Sequence, residues 1–222
     1  MRARPDLDNL GDAPGDDAQA GPEPAARRLF RALRNAIVSM ELKPGQALSE
    51  KDIADRFGVS RQPVREAFIK LSEAGLVQVR PQRGTFVVKI SAKQVRDARF
   101  VREAVEIAVA RRACTAMTAA GIARLRQILD AQRRAATDAD PARFLALDEA
   151  FHRALALGVE CDYAWRVVEE VKAQMDRVRY LSLPQATPVA RLIDQHAGIV
   201  DAVAVRDAAA AEAAVRVHLA EI

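Results

Sequence analysis

Three histidines and one aspartate could together do chemistry. His152, His196 and His218 are the only histidines in the chain, and all lie in its C-terminal half. Asp148 stands four residues before His152, which puts a carboxylate and an imidazole on one helix face, as in helical metal sites. His196 and His218 each lie eleven residues from Asp207, a good N-cap at the turn near Arg206-Asp207. In an antiparallel helix hairpin, positions equidistant from the turn sit at one height, so the two imidazoles can face a common point. A third helix carrying Asp148 and His152 would complete one oxygen and three nitrogens. That donor set suits a divalent ion such as Zn, Ni, Mn or Fe(II), with positions left for water or a ligand. Any one histidine alone reads better as a hydrogen-bonded helix residue; the joint spacing makes the case for a metal.

A second group of residues suits a polyanion. Arg61 and Arg65 are four apart at the start of a helix and share a face, opposite Val64, Phe68 and Leu71. An arginine fork can bond guanine O6 and N7 together, or grip a phosphate. Lys51 lies on the preceding helix. Arg83 and Gly84 lie at the tip of a hairpin, where glycine allows close backbone approach and arginine can enter a minor groove. The charge agrees. Residues 24–90 hold thirteen basic and six acidic residues, while 1–23 hold two and six, and 91–222 hold nineteen and eighteen. The positive charge is therefore concentrated in one segment, as expected of a DNA-binding unit.

The elements that must position these groups are legible. Residues 1–23 are rich in Asp, Gly, Pro and Ala and cannot bury enough surface to offset ordering, which predicts a disordered tail. From Pro24, Leu29, Phe30, Leu33, Ile37, Val38 and Met40 recur at helical spacing until Lys43-Pro44-Gly45. Ser49 reads as an N-cap, with Asp52 in capping-box position, for a short helix that Gly58 ends. Ser60 reads as the cap of the next helix, which has Pro63 in its first turn and ends at Gly75. Leu76–Val79 and Thr85–Val88 flank a glycine-containing turn and predict a β-hairpin. Helix, helix, turn, helix, hairpin is the order of a winged helix-turn-helix over 24–90.

Residues 91–222 read as all-helical, with helices near 93–118, 120–136, 141–157, 162–181, 188–205 and 208–221, broken at Gly121, Asp140-Pro141, Gly158 and Pro184 to Pro188. The fold expected is mainly α: the winged helix-turn-helix, then a helical bundle. No apolar run approaches the roughly 18 residues of a membrane span. No apolar stretch follows Arg2 and Arg4, so no secretory signal is expected and the expected location is the cytoplasm. Cys114 and Cys161 make no disulfide framework.

The run Lys43-Pro44-Gly45, Leu48-Ser49-Glu50, Phe57-Gly58-Val59-Ser60-Arg61-Gln62-Pro63-Val64-Arg65-Glu66-Ala67 and Gly84-Thr85-Phe86-Val87 resembles the GntR family of regulators. The resemblance implies operator contacts from Lys51, Arg61, Arg65, Arg83 and Gly84, and a homodimer on pseudo-palindromic double-stranded DNA; Gln62, next to Arg61, is a further DNA-binding candidate. Residues 93–222 resemble the FCD sensor domain of the FadR-like branch, through Val101–Glu106, Asp148–His152, Gln195–Ala202 and Val215–Leu219. In metal-binding members the ligands match Asp148, His152, His196 and His218. Arg102 matches an arginine that often faces the effector cavity and could pair with a small carboxylate effector; Arg177 and Arg179 are weaker candidates.

The chain departs from the family pattern in carrying Glu160-Cys161-Asp162 where Asn-Pro is frequent, and Gln195 where an acid usually precedes the third ligand. Either change could alter an outer contact to the metal ligands. The leading expectation is a repressor, not an enzyme, controlled by a small organic acid at or near the metal. Two alternatives stay open. One is a hydrolytic metal centre, which lacks a positioned base because Glu149 points about 100° from Asp148. The other is a structural zinc closed by four protein ligands.

Overall fold

The computed structural model describes residues 23–182 and 188–221. The expected tail over 1–23 lies outside them except for Glu23, which pairs with Arg27 (3.4 Å) and Arg31 (3.0 Å). The expected break from Pro184 also lies outside them, up to Pro188. The described residues form ten helices and three short strands, in two compact units that divide between Ala92 and Lys93. None of the helices is long and apolar enough to cross a membrane.

The first unit contains α1 (Ala25–Val38), β1 (Ala47–Leu48), α2 (Glu50–Phe57), α3 (Arg61–Glu73), β2 (Val77–Arg80) and β3 (Gly84–Val87). Its core joins Leu29, Leu33 and Ile37 of α1 to Val64, Phe68 and Leu71 of α3. Each set repeats at three or four residues, so one face of each helix is apolar and the two faces close on each other. The Ser49 hydroxyl accepts from the Asp52 N–H at 3.2 Å, and Gly58 ends α2 at φ +61°.

Three local expectations need correction. Ser60 occupies the N-cap position of α3, but its side chain makes no capping bond. The first helix stops at Val38 rather than reaching Met40: Met40 turns to φ +62°, and the Leu42 N–H reaches back to the Ala36 carbonyl at 2.9 Å. The expected hairpin, β2 with β3, is present but incomplete: β1 pairs with β3 as a third antiparallel strand, in the order β1-β3-β2. A two-residue strand is too short to alternate visibly. It is made by pairing, with Ala47 opposite Phe86 and Val87 donating to Gln46 at 2.9 Å.

The second unit is α-helical: α4 (Ala92–Ala116), α5 (Ala119–Thr137), α6 (Pro141–Leu157), α7 (Asp162–Val171), α8 (Ala173–Ser182), α9 (Val189–Ala204) and α10 (Ala208–Ala220). The Asp140 carboxylate caps α6 ahead of Pro141 at its first position. Asp207 caps α10 by accepting from Ala209 and Ala210 at 3.0 and 2.9 Å. Its core gathers Ala110 and Ala113, Leu125 and Leu129, Phe151 and Leu155, Trp165, Ile199 and Val203, Val215 and Leu219.

Two expectations also change here. Gly121 does not break a helix; it lies in the first turn of α5, where its N–H bonds the capping Thr118 hydroxyl at 3.1 Å. A methyl there, or at Gly158, would collide with the Met117 thioether, so packing explains the glycine. The single helix expected over 162–181 is two helices meeting at Lys172. The Lys172 side chain turns inward, and its ammonium bonds Glu149 at 2.7 Å and Asp176 at 2.9 Å. Among these apolar helices lies a layer of buried polar groups, Arg102, Glu106, Gln132, Asp148, His152, Arg179, His196 and His218.

Candidate functional site

The α9–α10 turn sets the first pair of donors. His196 and His218 are both wholly buried, and their Nε2 atoms lie 3.3 Å apart. On α6, one turn separates Asp148 from His152. The His152 Nε2 approaches that of His218 to 3.2 Å, and Asp148 Oδ1 lies 3.3 Å from His196 Nε2. One ligand atom from each of the four residues falls within 4.8 Å of all the others. Phe151 stacks on the His196 ring with centroids 4.3 Å apart, an apolar wall beside the cluster.

The far nitrogens explain which way the rings face. His152 Nδ1 meets the Glu106 carboxylate at 2.7 Å, His196 Nδ1 meets Gln132 Oε1 at 2.9 Å, and His218 Nδ1 meets Gln195 Oε1 at 3.2 Å. A carboxylate only accepts, so His152 carries its proton on Nδ1. Gln132 spends its amide N–H on the Leu147 carbonyl at 3.1 Å, which turns its oxygen toward His196. Each imidazole held this way presents a bare Nε2 lone pair inward. Three lone pairs and a carboxylate oxygen facing one another repel unless a cation or protons lie among them. Burial opposes the protons. It lowers the His196 pKa to about 3, helped by His152 and Arg179 and opposed by Asp148. It holds His218 well below the ordinary histidine range, helped by His196 and His152. The donor set therefore fits a divalent ion better than protons.

Charged neighbours surround the donors. The Arg179 guanidinium forks onto both oxygens of Asp148, at 2.7 Å to Oδ1 and closely to Oδ2. Arg102 Nε donates to Glu106 at 2.6 Å, so arginine, carboxylate and His152 form a buried chain. Burial alone would raise the pKa of both Asp148 and Glu106. Arg179 and the three histidines overcome it at Asp148, Arg102 and His152 overcome it at Glu106, and both end well below the carboxylate range. Arg177 is also buried, and donates to Gln174 at 3.2 Å. Two residues along α8, it points about 200° from Arg179. Of the two, Arg179 is the one that contacts Asp148.

The sequence reading missed Glu106 and Gln132, whose roles depend on contacts between helices. A signal did exist at Glu106, a charged residue four after Arg102 on a helix whose other face is apolar. Gln195, read as a departure from an expected acid, supplies the same kind of acceptor through its amide oxygen. Lys172 was missed inside a segment read as continuous helix.

In the first unit, Lys51, Arg61, Gln62, Arg65, Arg83 and Gly84 are all exposed. Arg61, Gln62 and Arg65 lie in the first two turns of α3, and Lys51 lies in the first turn of α2. Arg83 and Gly84 lie at the β2–β3 turn, where Gly84 adopts φ +98°, a conformation other residues resist. Arg65 Nε donates to Glu50 at 2.9 Å, and the Gln62 amide donates to Glu66 at 3.1 Å.

Comparison with known proteins agrees with both units. Residues 25–87 match the model of bacterial regulatory proteins of the gntR family, and residues 97–221 match the FCD domain. The chain is 46% identical to the HTH-type transcriptional repressor RspR of Escherichia coli (strain K12) over 90% of its own length and 88% of that protein. It is 39% identical to an HTH-type transcriptional regulator in an unstable DNA locus of Streptomyces ambofaciens, over 91% of its length and 85% of the relative. Among solved structures, E. coli McbR/YncC shares the fold, with a TM-score of 0.79 at 18% identity, covering 89% of this chain and 94% of that one. A putative GntR transcriptional regulator from Rhodococcus sp. RHA1 matches with a TM-score of 0.71 at 27% identity, covering 88% and 95%. The relatives are regulators rather than enzymes, and the chain belongs to the GntR family as a DNA-binding transcriptional regulator with a C-terminal FCD domain.

Proposed function

We propose that the protein is a cytoplasmic homodimeric repressor, with residues 24–90 binding a pseudo-palindromic operator and residues 91–222 sensing a small organic acid through a divalent metal ion. The observation that carries the sensor reading is the convergence of three imidazole Nε2 atoms and the Asp148 carboxylate within 4.8 Å, each ring held from behind by an acceptor on its Nδ1. Asp148, His152, His196 and His218 would hold the ion, with Zn, Ni or Mn the best matches to the donors. The ion would supply a Lewis-acidic anchor for a carboxylate effector.

Arg102 is the favoured protein anchor for that carboxylate, since it already reaches the layer through Glu106. Arg177 is the weaker one, being turned from Arg179 along α8. The effector would act by binding one arrangement of the dimer more tightly than another, which shifts operator affinity. The name of the 46% identical relative, a transcriptional repressor, supports repression. Lys51, Arg61, Gln62, Arg65, Arg83 and Gly84 would grip the DNA.

Metal analysis of the purified protein beside His196→Ala tests the site. About one metal per chain, lost in the variant, is the expected result; no metal in either after reloading overturns it. Operator affinity is then measured with the metal-loaded protein across a panel of small carboxylates. A second reading is favoured by the complete burial of His196 and His218: a structural zinc that stiffens the bundle. In that case a chelator lowers stability and leaves every effector response unchanged.

A further inference from the structure

Glu50 is the first residue of α2, and its carboxylate lies 2.9 Å from Nε of Arg65 on α3. Both side chains are solvated, Arg65 at 57% and Glu50 at 35% exposure. An exposed ion pair contributes little to stability, so fold maintenance is a poor reason for it. It also places a negative charge beside a surface that must meet phosphates, where it weakens binding to any DNA. Among the described residues, no ion pair engages Arg61 or Lys51 in this way.

We infer that Glu50 is a positioning residue for base recognition: it holds Arg65 by Nε and so aims the remaining two nitrogens of the guanidinium outward as a fork. A fork of that kind matches the paired acceptors of guanine. A free arginine, with its many rotamers, would spend much of its time on the nearest phosphate instead. The carboxylate trades general affinity for preference at one base pair. The inference rests on the reading of Arg65 as a DNA-contacting residue.

The full-length protein and its variants each select from one pool of randomised duplex DNA, and selected and scrambled duplexes are then titrated. Arg65→Ala is expected to lose preference at one base pair per half-site. Glu50→Ala is expected to lose preference at that same base pair by about tenfold, while binding scrambled duplex more tightly than the native protein. Glu50→Gln keeps an acceptor for Nε without the charge; it is expected to retain the preference while sharing the gain on scrambled DNA. The double variant Glu50→Ala with Arg65→Ala is expected to select the same motif as Arg65→Ala alone. Thermal unfolding of each variant within a few degrees of the native protein excludes misfolding, and Glu50→Gln answers the affinity question if Glu50→Ala does not fold. If Glu50→Ala keeps the native motif while Arg65→Ala changes it, the positioning role is overturned and the reading of Arg65 stands. A further change of motif in the double variant overturns it too, because Glu50 would then contact DNA directly. An unchanged motif in Arg65→Ala removes Arg65 as a reader, and the positioning role falls with it.

Discussion

Arg65 and Arg179 are the same side chain in two solvents. Arg65 meets Glu50 in water, with more than half of its surface exposed. Arg179 meets Asp148 with both side chains almost wholly enclosed. In water the attraction is screened, so the pair adds little to the stability of the fold. In the bundle each charge has lost its hydration, so removing one partner strands the other. In the buried layer of the second unit, Arg102, Glu106, Asp148 and Arg179 are each answered by a charged neighbour. The exception is the inward-facing side of the histidine cluster, and a divalent ion would answer it.

Substitutions separate the two regimes. The largest effect is expected at Arg102→Met, which leaves Glu106 buried beside His152 without its cation. Urea unfolding should show a loss of about 3–5 kcal/mol, and a loss below about 1 kcal/mol would mean that water reaches the layer.

Next comes pH. Native His196 takes a proton only near pH 3, while an unfolded histidine does so near 6.5, and native His218 lies on the same side. Below pH 6.5 the unfolded chain binds protons that the native chain refuses, so stability is full above 6.5 and falls as pH drops. For metal-free protein the expected slope between pH 6.5 and 4.5 is about 1.4 kcal/mol per unit for each of the two histidines. Asp148 and Glu106, with depressed values, add their loss only lower down. The groups facing His196 are Asp148, His152, His218 and Gln132. A flat stability profile over that window would mean that these histidines are hydrated.

Lys51→Ala should weaken binding about equally to all duplexes and lower the salt slope by about 1; a sequence-dependent loss would make Lys51 a base reader. The smallest effect belongs to the exposed pair Lys93–Asp97, 2.5 Å apart one helical turn along α4. Lys93→Ala should cost about 0.3–0.5 kcal/mol, and a larger loss would show that proximity, rather than burial, sets the value of a pair here.

The same division decided what the sequence disclosed. Most of the helices, the caps at Ser49 and Asp207, and the buried stripe Val64-Phe68-Leu71 follow from local periodicity and hydrogen-bonding chemistry, which neighbouring residues carry. The meeting of His196 and His218 was also legible, because one turn and equal spacing relate them. Glu106 behind His152 and Gln132 behind His196 were not, because each lies on a helix whose rotation is set by packing. Lys172 breaks a segment whose helical pattern is unbroken, since the energy that turns it inward comes from Glu149 and Asp176. Strand β1 depends wholly on the strand it joins.

The equal spacing about Asp207 also governs which changes of chain length the bundle tolerates. One residue inserted between Asp207 and His218 would turn the imidazole by about 100° and lift it about 1.5 Å, out of reach of its partners. An insertion at the α5–α6 turn, around Ala139, changes neither spacing nor facing within the α9–α10 hairpin. Insertions and deletions in descendants of this chain should therefore collect at turns such as 138–140, while the stretch from His196 to His218 keeps its length to the residue.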